Sequence, residues 1–258
     1  MASKKDIGNK SGVNRIIADM VVSSNSLFQF TDNIDTIVKI LKSGGFWPRY
    51  CIEFGWRERF AFDFAVPQCC FCDIPLSAIQ SHMAFYGNYG ISMTKEWGIK
   101  NGLSPVMYVI SGSHFVKTIN AIRHAAKRVE ENTRLFAFLK RYKGVNYRKN
   151  RGGKWVMSQN YLYYNEREWR YVPVNMATRD LILKVEDKEL FDSNTLSQRT
   201  LSFMCHFKAD DIRYIIVANN EDRIKLIKDI TEMSNWSKLE KEQLSSKILT
   251  LTLIKEDI

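Results

Sequence analysis

Two carboxylates and two guanidinium groups interrupt an aromatic and β-branched run that extends over residues 161–174. A run of this composition predicts a β-strand. Because alternate residues of a strand share a face, we expect Glu166, Glu168 and Arg170 on one side of it. The opposite side is expected to carry Arg167, Trp169 and Tyr171. In a central strand these charges must be paired or must line a pocket, because burial of an unpaired carboxylate is very costly.

A carboxylate held in a pocket can stabilise developing positive charge and can orient or deprotonate a substrate group. Residues 161–174 also fit an edge strand whose charged face is solvated and self-paired, since charge ladders are common on exposed sheet faces. The sequence alone leaves both interpretations open.

The elements around this strand combine the strand and helix patterns of a mixed domain. Residues 27–31 predict a short strand, and Asp32 or Asn33 is placed to cap a helix that ends at the Ser-Gly-Gly of residues 43–45. A long amphipathic helix is predicted from residue 116 to about 142. Further short strands and helices precede and follow it. The pattern predicts a mixed, sheet-centred α+β domain.

Residues 143–154 form a basic, glycine-containing segment that predicts a loop. Its cations could hold phosphates and its aromatic rings could stack on bases, which favours nucleic-acid binding. The candidate contacts are Lys143, Tyr147, Arg148, Lys149, Arg151 and Lys154. A merely solvated loop is the other interpretation. The formal net charge of +10 favours a polyanionic partner.

Several classes of site find no support in the sequence. No glycine-rich loop precedes Lys-Ser or Lys-Thr, and no dinucleotide glycine fingerprint follows a strand, which excludes P-loop and Rossmann sites. Cys69, Cys70 and Cys72 crowd into an apolar strand, so we expect buried small residues rather than zinc ligands, and no metal. No cysteine or serine has the context of an activated nucleophile.

The same inspection favours a cytoplasmic protein. No apolar run is long enough to cross a membrane, and the N-terminal residues lack the apolar core of a signal peptide. Five cysteines are an odd number, which suggests a reducing compartment. We therefore expect a cytoplasmic location and no membrane contact.

Four blocks of the sequence resemble AbiGi-type abortive-infection proteins. They are residues 29–51, 70–77, 86–97 and 101–108, of which the Tyr-Gly-Asn-Tyr-Gly-Ile-Ser-Met-Thr-Lys-Glu-Trp of 86–97 is the most specific. The resemblance covers roughly residues 27–230. More distantly, the layout is similar to ADP-ribosyltransferase toxins of the DarT kind and to the wider PARP-like fold. Gly90-Ile91-Ser92 matches the middle strand of those proteins, and Glu168 matches their single late glutamate.

The resemblance implies an α+β, mixed sheet-centred ADP-ribosyltransferase-like fold with flanking helices. This domain is expected over residues 27–235. Residues 1–26 are expected to form a flexible or helical extension, and residues 236–258 a C-terminal helix or strand extension.

The resemblance also implies NAD as the substrate and assigns roles around it. Glu168 would stabilise positive charge on the ribose, and Glu166 would position the acceptor. Arg49 would hold the phosphates by a bidentate contact. Gln29 stands where the family pattern has histidine, and its amide can hydrogen-bond a ribose or a nicotinamide. The full set of candidate NAD contacts is Gln29, Thr31, Arg49, Tyr86, Tyr89 and Ser92.

The function implied is an NAD-dependent ADP-ribosyltransferase of phage defence. It would act on RNA or DNA and would be restrained by a cognate antitoxin. One alternative is a non-catalytic antitoxin of the same fold, in which Glu166 and Glu168 are ion-pair partners of Arg167 and Arg170. The other alternative is a plain nucleic-acid-binding module.

Overall fold

The structure is a computed structural model that describes residues 24–53, 64–125, 134–149, 155–177, 183–184 and 199–257. The strands are β1 (Ser26–Thr31), β2 (Gly45–Phe46), β3 (Arg49–Glu53), β4 (Phe64–Cys72), β5 (Tyr89–Thr94), β6 (Ser104–Pro105), β7 (Met107–Val109), β8 (Leu139–Arg141), β9 (Lys143–Lys149), β10 (Trp155–Leu162), β11 (Glu168–Tyr171), β12 (Leu183–Lys184), β13 (Cys205–His206), β14 (Ile212–Val217) and β15 (Ile248–Thr250). The helices are α1 (Ile34–Ser43), α2 (Ile79–Tyr86), α3 (Lys95–Lys100), α4 (His114–Ala125), α5 (Asn220–Glu232), α6 (Lys238–Ser246) and α7 (Leu251–Asp257).

A nine-stranded mixed sheet organises the described part of the chain. Its main order is β15-β14-β5-β1-β4-β11-β6, and β3 and β12 also pair with β4. The β14–β15 pair is parallel, whereas the pairs made by β1, β4 and β11 are antiparallel. The predicted mixed α+β domain with flanking helices is confirmed. Its closer assignment to an ADP-ribosyltransferase-like fold stays a prediction.

The first strand and helix follow directly from local sequence signals. The side chain of Asn33 accepts a hydrogen bond from the backbone N–H of Asp35 at 2.8 Å, and thus caps α1. Gly44 ends α1 in the left-handed conformation at φ 62°, where its N–H donates to the carbonyls of Ile40 and Leu41. The capped helix and its glycine stop are confirmed. Its buried face, which includes Ile37, packs into the main hydrophobic core.

Divergence of β1 from β4 opens a cleft beside α1. All six residues of β1 pair with β5, but β1 meets β4 only where Phe28 faces Cys72. Beyond Phe28, the side-chain amide of Gln29 reaches across the gap and donates to the carbonyl of Cys70 at 3.5 Å. The two strands therefore part toward the C-terminal end of β1, next to α1.

The C-terminal residues share the core of the preceding domain. β15 adds a parallel strand beside β14, and Trp236, Leu244 and Ile248 belong to the main core. The indole N–H of Trp236 donates to the carbonyl of Leu41 at 3.0 Å, which ties this region to α1. Of the predicted N-terminal extension, residues 1–23 lie outside the described residues.

The prediction of one continuous strand over residues 161–174 is wrong. β10 ends at Leu162, a 3₁₀ turn follows over Tyr163–Glu166, and Arg167 takes the left-handed conformation at φ 46°. Only then does β11 begin. Positive φ is uncommon outside glycine, and arginine gives no turn signal, so composition could not reveal this break. Arg167 consequently leaves the strand and lies 4.0 Å from the carboxylate of Asp73.

Two predictions around the basic segment are also wrong. The long helix was expected to reach residue 142, but Leu139–Arg141 forms β8, which pairs in parallel with β7. Residues 143–149 were expected in a loop, but they form β9, which pairs with β10 in an antiparallel hairpin. In both cases pairing with a distant or following strand decides the backbone conformation, which local propensity does not encode.

Candidate functional site

A cavity of about 510 Å³ occupies the gap where β1 and β4 diverge. α1, β1, β3 and β4 supply most of its lining, and Tyr86, the last residue of α2, also lines it. Lys140, Glu166 and Glu168 also line it. Its size lies in the range of about 300–1,000 Å³ that is usual for small-molecule sites. We call this cavity the inner chamber.

Six of the eight residues predicted as catalytic groups or NAD contacts converge on the inner chamber from separate parts of the chain. Those that line it are Gln29, Thr31, Arg49, Tyr86, Glu166 and Glu168. Ser92 does not, because it is fully buried in β5, between Phe28 of β1 and Tyr214 of β14. Tyr89 does not line it either, and its hydroxyl donates to the carboxylate of Asp222 at 2.9 Å. Tyr89 and Ser92 therefore lie outside the inner chamber, and their predicted contacts with NAD stay a prediction.

Glu168 is held by two cations. Arg170 donates from Nε to Oε1 of Glu168 at 2.7 Å and from Nη2 to Oε2 at 3.3 Å. The ammonium of Lys140 lies 2.5 Å from the same Oε2. Glu168 is 4% exposed and Arg170 is 0% exposed. The predicted shared face of Glu168 and Arg170 is confirmed, and the solvated edge-strand interpretation is wrong.

Arg170 has a second anchor that fixes its guanidinium. Its Nη1 donates to the carbonyl of Ala137 at 2.5 Å, just before β8. Trp169 and Tyr171, on the other face of β11, pack against the main core. The period of two along β11 therefore separates a charged face from an apolar face, as the sequence predicted.

The ionisation of Glu168 is set by opposing effects. Burial raises the pKa of the Glu168 carboxyl, but the charges of Arg170 and Lys140 outweigh burial and hold this pKa well below its ordinary value. Hydrogen bonds from Arg170 and Cys70 act in the same direction. Glu168 is therefore a carboxylate at neutral pH, in a fixed orientation at the inner chamber.

Glu166 reaches the same place from the 3₁₀ turn. Its Oε1 accepts hydrogen bonds from the hydroxyls of Tyr86 and of Tyr161, the latter at 3.2 Å, and its Oε2 lies 2.9 Å from the ammonium of Lys140. Burial and the nearby Glu166 charge raise the pKa of Tyr86, so its hydroxyl stays protonated and donates. Lys140 bridges Glu166 and Glu168.

Lys140 is the member of this charged cluster that the sequence interpretation missed. It falls within the helix predicted to reach about residue 142, whereas the structure places it on β8. Its ammonium lies 5.2 Å from the centre of the Tyr163 ring. No local signal marks it, because β8 depends on pairing with β7.

A second cavity of about 430 Å³ adjoins the first, and we call it the outer chamber. Both chambers are lined by Gln29, Thr36, Ile40, Trp47 and Arg49. Lys39 and Thr200 line the outer chamber alone. The two chambers together form a cleft, and Arg49 lies at their junction. Arg49 is exposed, so its guanidinium is accessible from solvent.

Four of the six predicted nucleic-acid contacts lie on β9 of the β9–β10 hairpin. Lys143 is exposed and its backbone faces Leu162 in the hairpin register. Tyr147, Arg148 and Lys149 belong to β9 and face residues 155–157. Arg151 and Lys154 lie outside the described residues. Nucleic-acid binding by this segment stays a prediction.

The three clustered cysteines alternate along β4. Cys69 is buried in the main core, as expected of a small apolar residue, while Cys70 and Cys72 line the inner chamber. Burial raises the pKa of the Cys72 thiol. In the ranges that the structure describes, no group of three or more His, Cys, Asp or Glu residues is placed to hold a metal ion.

Within those ranges, every helix is too short or too polar to cross a bilayer.

Comparison with known proteins identifies relatives in phage defence. Residues 45–218 match the family model described as "Putative abortive phage resistance protein AbiGi, antitoxin". The chain is 30% identical over 222 residues to the abortive phage resistance protein AbiGi of Lactococcus lactis subsp. cremoris, an alignment that covers 74% of this chain and 88% of that protein. No solved structure matches the chain.

Proposed function

This chain belongs to the AbiGi family of abortive phage resistance proteins, and we propose that it binds NAD in the two-chamber cleft and transfers ADP-ribose to a nucleic acid. The observation that carries the proposal is the cleft itself. Two chambers of about 510 and 430 Å³ meet at Arg49. A dinucleotide consists of two nucleosides joined by a pyrophosphate, so each chamber can hold one nucleoside and Arg49 can bind the pyrophosphate between them. Arginine binds phosphate oxygens in a bidentate manner.

The inner chamber supplies the groups for nicotinamide–ribose cleavage. The bond between ribose C1′ and the nicotinamide nitrogen breaks, its electron pair leaves with nicotinamide, and positive charge develops on the ribose. The ionised Glu168 carboxylate stabilises that charge because its orientation and ionisation are fixed before the substrate binds. A nitrogen or oxygen of the acceptor then bonds to C1′ and releases its proton to solvent.

Neighbouring side chains complete the proposed NAD site. Gln29 and Thr31 lie at the open end of β1, where their polar groups can bond the ribose or the nicotinamide amide. Tyr86 provides a ring wall to the inner chamber. Lys39 and Trp47 line the outer chamber, where a cation and an aromatic face suit the adenosine end.

A nucleic acid fits as the acceptor because the chain carries a formal net charge of +10. The exposed Lys143 lies on the β9–β10 hairpin, whose second strand runs into the turn that carries Glu166.

One observation favours a second candidate function, a non-catalytic antitoxin of the same family. Both carboxylate oxygens of Glu168 already contact Arg170 or Lys140, so the carboxylate also fits a purely structural ion pair. The description of the matching family model includes the word antitoxin. In this candidate the cleft binds its ligand without turnover, and the partner is a cognate toxin.

Labelled NAD separates the two candidates. The purified protein is incubated with NAD labelled in its adenylate half and with separate pools of DNA, RNA and cell protein. Wild type is compared with Glu168→Gln and with Glu242→Gln, a matched change at an exposed glutamate. Circular dichroism and urea denaturation establish that each variant is folded. If Glu168→Gln does not fold, Arg49→Ala takes its place.

Transfer to DNA or RNA by wild type and Glu242→Gln, but not by Glu168→Gln, is the expected result. Bound NAD without transfer to any pool would favour the antitoxin. Folded wild-type protein that does not bind NAD would reject the proposal.

A further inference from the structure

A groove of about 390 Å³ shares Tyr86 as a lining residue with the inner chamber. It runs between α2 and the end of β10. Its lining includes His82, Phe85, Tyr86, Asn160, Tyr161 and Asn165.

Aromatic rings form the hydrophobic part of the groove. Phe85 stacks on Tyr161 with ring centres 5.1 Å apart and planes inclined by 25°. Tyr86 meets Phe85 edge to face at 4.8 Å. All three rings are half-buried, so each leaves part of its surface to the groove. Such a platform accepts a planar ring by stacking, and stacking is tolerant of which base is bound.

Exposed amides form the polar part. Asn160 and Asn165 are both exposed, and an amide offers donors and an acceptor to the edge of a base. Asn160 holds the left-handed conformation at φ 63°, which asparagine tolerates better than most residues. A ring nitrogen of His82 contacts the carbonyl of Asn165 at 3.2 Å and so ties α2 to the turn.

Charge around the groove suits a polyanion. None of the residues described around it is acidic. Lys143, which is exposed, faces the groove residue Leu162 across the hairpin. A strand threaded past the groove would therefore meet no acidic lining residue, since the carboxylate of Glu166, which accepts from Tyr86 and Tyr161, is buried.

Tyr86 connects the groove to the inner chamber. It lines both spaces, and its hydroxyl and that of Tyr161 donate to the same oxygen of Glu166. A ring bound in the groove would thus lie one side chain away from the chamber that contains Glu168.

We propose that this groove binds an unpaired base of a single-stranded nucleic acid and holds it as the acceptor beside the inner chamber. The inference rests on the proposed function, of which it specifies the acceptor class. An unpaired base is required because a ring within a duplex cannot present its face to Phe85 and Tyr161.

The test measures binding of a short fluorescein-labelled single-stranded oligonucleotide by anisotropy, without NAD, at low salt. Phe85→Ala removes the platform and should weaken binding about tenfold. Asn160→Asp adds a negative charge without new bulk, at a position whose backbone aspartate tolerates, and should also weaken binding. Phe115→Ala removes an exposed phenylalanine of α4 and is the matched control. NAD affinity of each variant is measured separately by calorimetry.

Weaker oligonucleotide binding by Phe85→Ala and Asn160→Asp, with unchanged NAD affinity and an unaffected Phe115→Ala, is the expected result. Equal oligonucleotide affinity in wild type and both groove variants would overturn the inference, as would wild type that prefers the duplex form of the same sequence. Failure of the proposed function has a different signature, because wild type would then bind no NAD whatever its oligonucleotide affinity.

Discussion

Two charged regions of this protein differ in how their charges are balanced. The buried cluster contains Lys140, Glu166, Glu168 and Arg170, whose two cations and two carboxylates cancel, and its Glu168 and Arg170 are almost inaccessible to solvent. The exposed cations, Lys39, Arg49 and Lys143, line the outer chamber or lie on the hairpin. Buried charges that fix one another set stability and ionisation, whereas exposed charges attract an anionic ligand. Mutations in the two regions should therefore have different consequences.

The largest expected effect is a loss of stability in Arg170→Met. This change leaves Glu168 without its bidentate partner and leaves the carbonyl of Ala137 without the Arg170 donor. The free energy of unfolding should fall by about 3–5 kcal/mol, because one partner of a buried pair remains charged. Urea denaturation measures it. Arg213→Met, at an exposed arginine of β14, is the control and should change stability by less than about 0.5 kcal/mol. Similar losses of unfolding free energy in Arg170→Met and Arg213→Met would show that burial of the charges does not determine how much stability is lost.

Lys140→Met should lower the free energy of unfolding by about 2 kcal/mol, because Glu166 and Glu168 lose the cation between them. The loss is smaller than in Arg170→Met because Glu168 keeps its pairing with Arg170. The pKa of Glu168 should rise in this variant because one of the two lowering charges is gone. NMR titration of labelled glutamate carboxyls follows the pKa. An unchanged pKa of Glu168 would mean that Lys140 does not contribute to its ionisation.

The pH dependence of stability also tests the lowered pKa of Glu168. The folded pKa of Glu168 lies below its ordinary value of 4.5, so its contribution is fully present above that value and is lost as pH falls toward the folded pKa. Between about pH 7 and pH 4, wild type should lose more free energy of unfolding than Glu168→Gln, which has no proton to bind there. Urea curves at both pH values give the comparison. Equal losses of unfolding free energy in wild type and Glu168→Gln would contradict the lowered pKa of Glu168.

The parts of the fold that were predictable have local causes. The cap at Asn33 and the left-handed stop at Gly44 follow from hydrogen-bonding and steric requirements within a few residues. The shared face of Glu168 and Arg170 follows from the period of a strand and needs no knowledge of its neighbours.

The parts that were missed depend on distant pairing or on unusual backbone. Lys140 reaches Glu168 from 28 residues away, on a short strand that exists because it pairs with β7. The turn before β11 relies on a left-handed arginine, Arg167, which has no sequence signature. Glu166 still reaches the inner chamber, although the predicted route along one strand was wrong.

The smallest expected effect concerns an exposed cation on the hairpin. Lys143→Ala should leave stability unchanged and should reduce the slope of log affinity against log salt for a single-stranded oligonucleotide by about 0.7. Lys255→Ala, at an exposed lysine of α7, is the control and should not change the slope. Anisotropy titrations at several salt concentrations measure it. A change in stability without a change in slope would place Lys143 with the buried cluster instead.

An NAD site centred on Arg49 is tested most directly by calorimetric titration of NAD into wild type, Arg49→Ala and Lys42→Ala. Lys42 is an exposed lysine of α1 outside both chambers. Wild type and Lys42→Ala should bind NAD with the same affinity. Arg49→Ala should bind NAD about tenfold more weakly at unchanged stability, because a charged hydrogen-bond donor to the phosphates is lost. No binding by wild type, or equal binding by all three, would contradict an NAD site centred on Arg49.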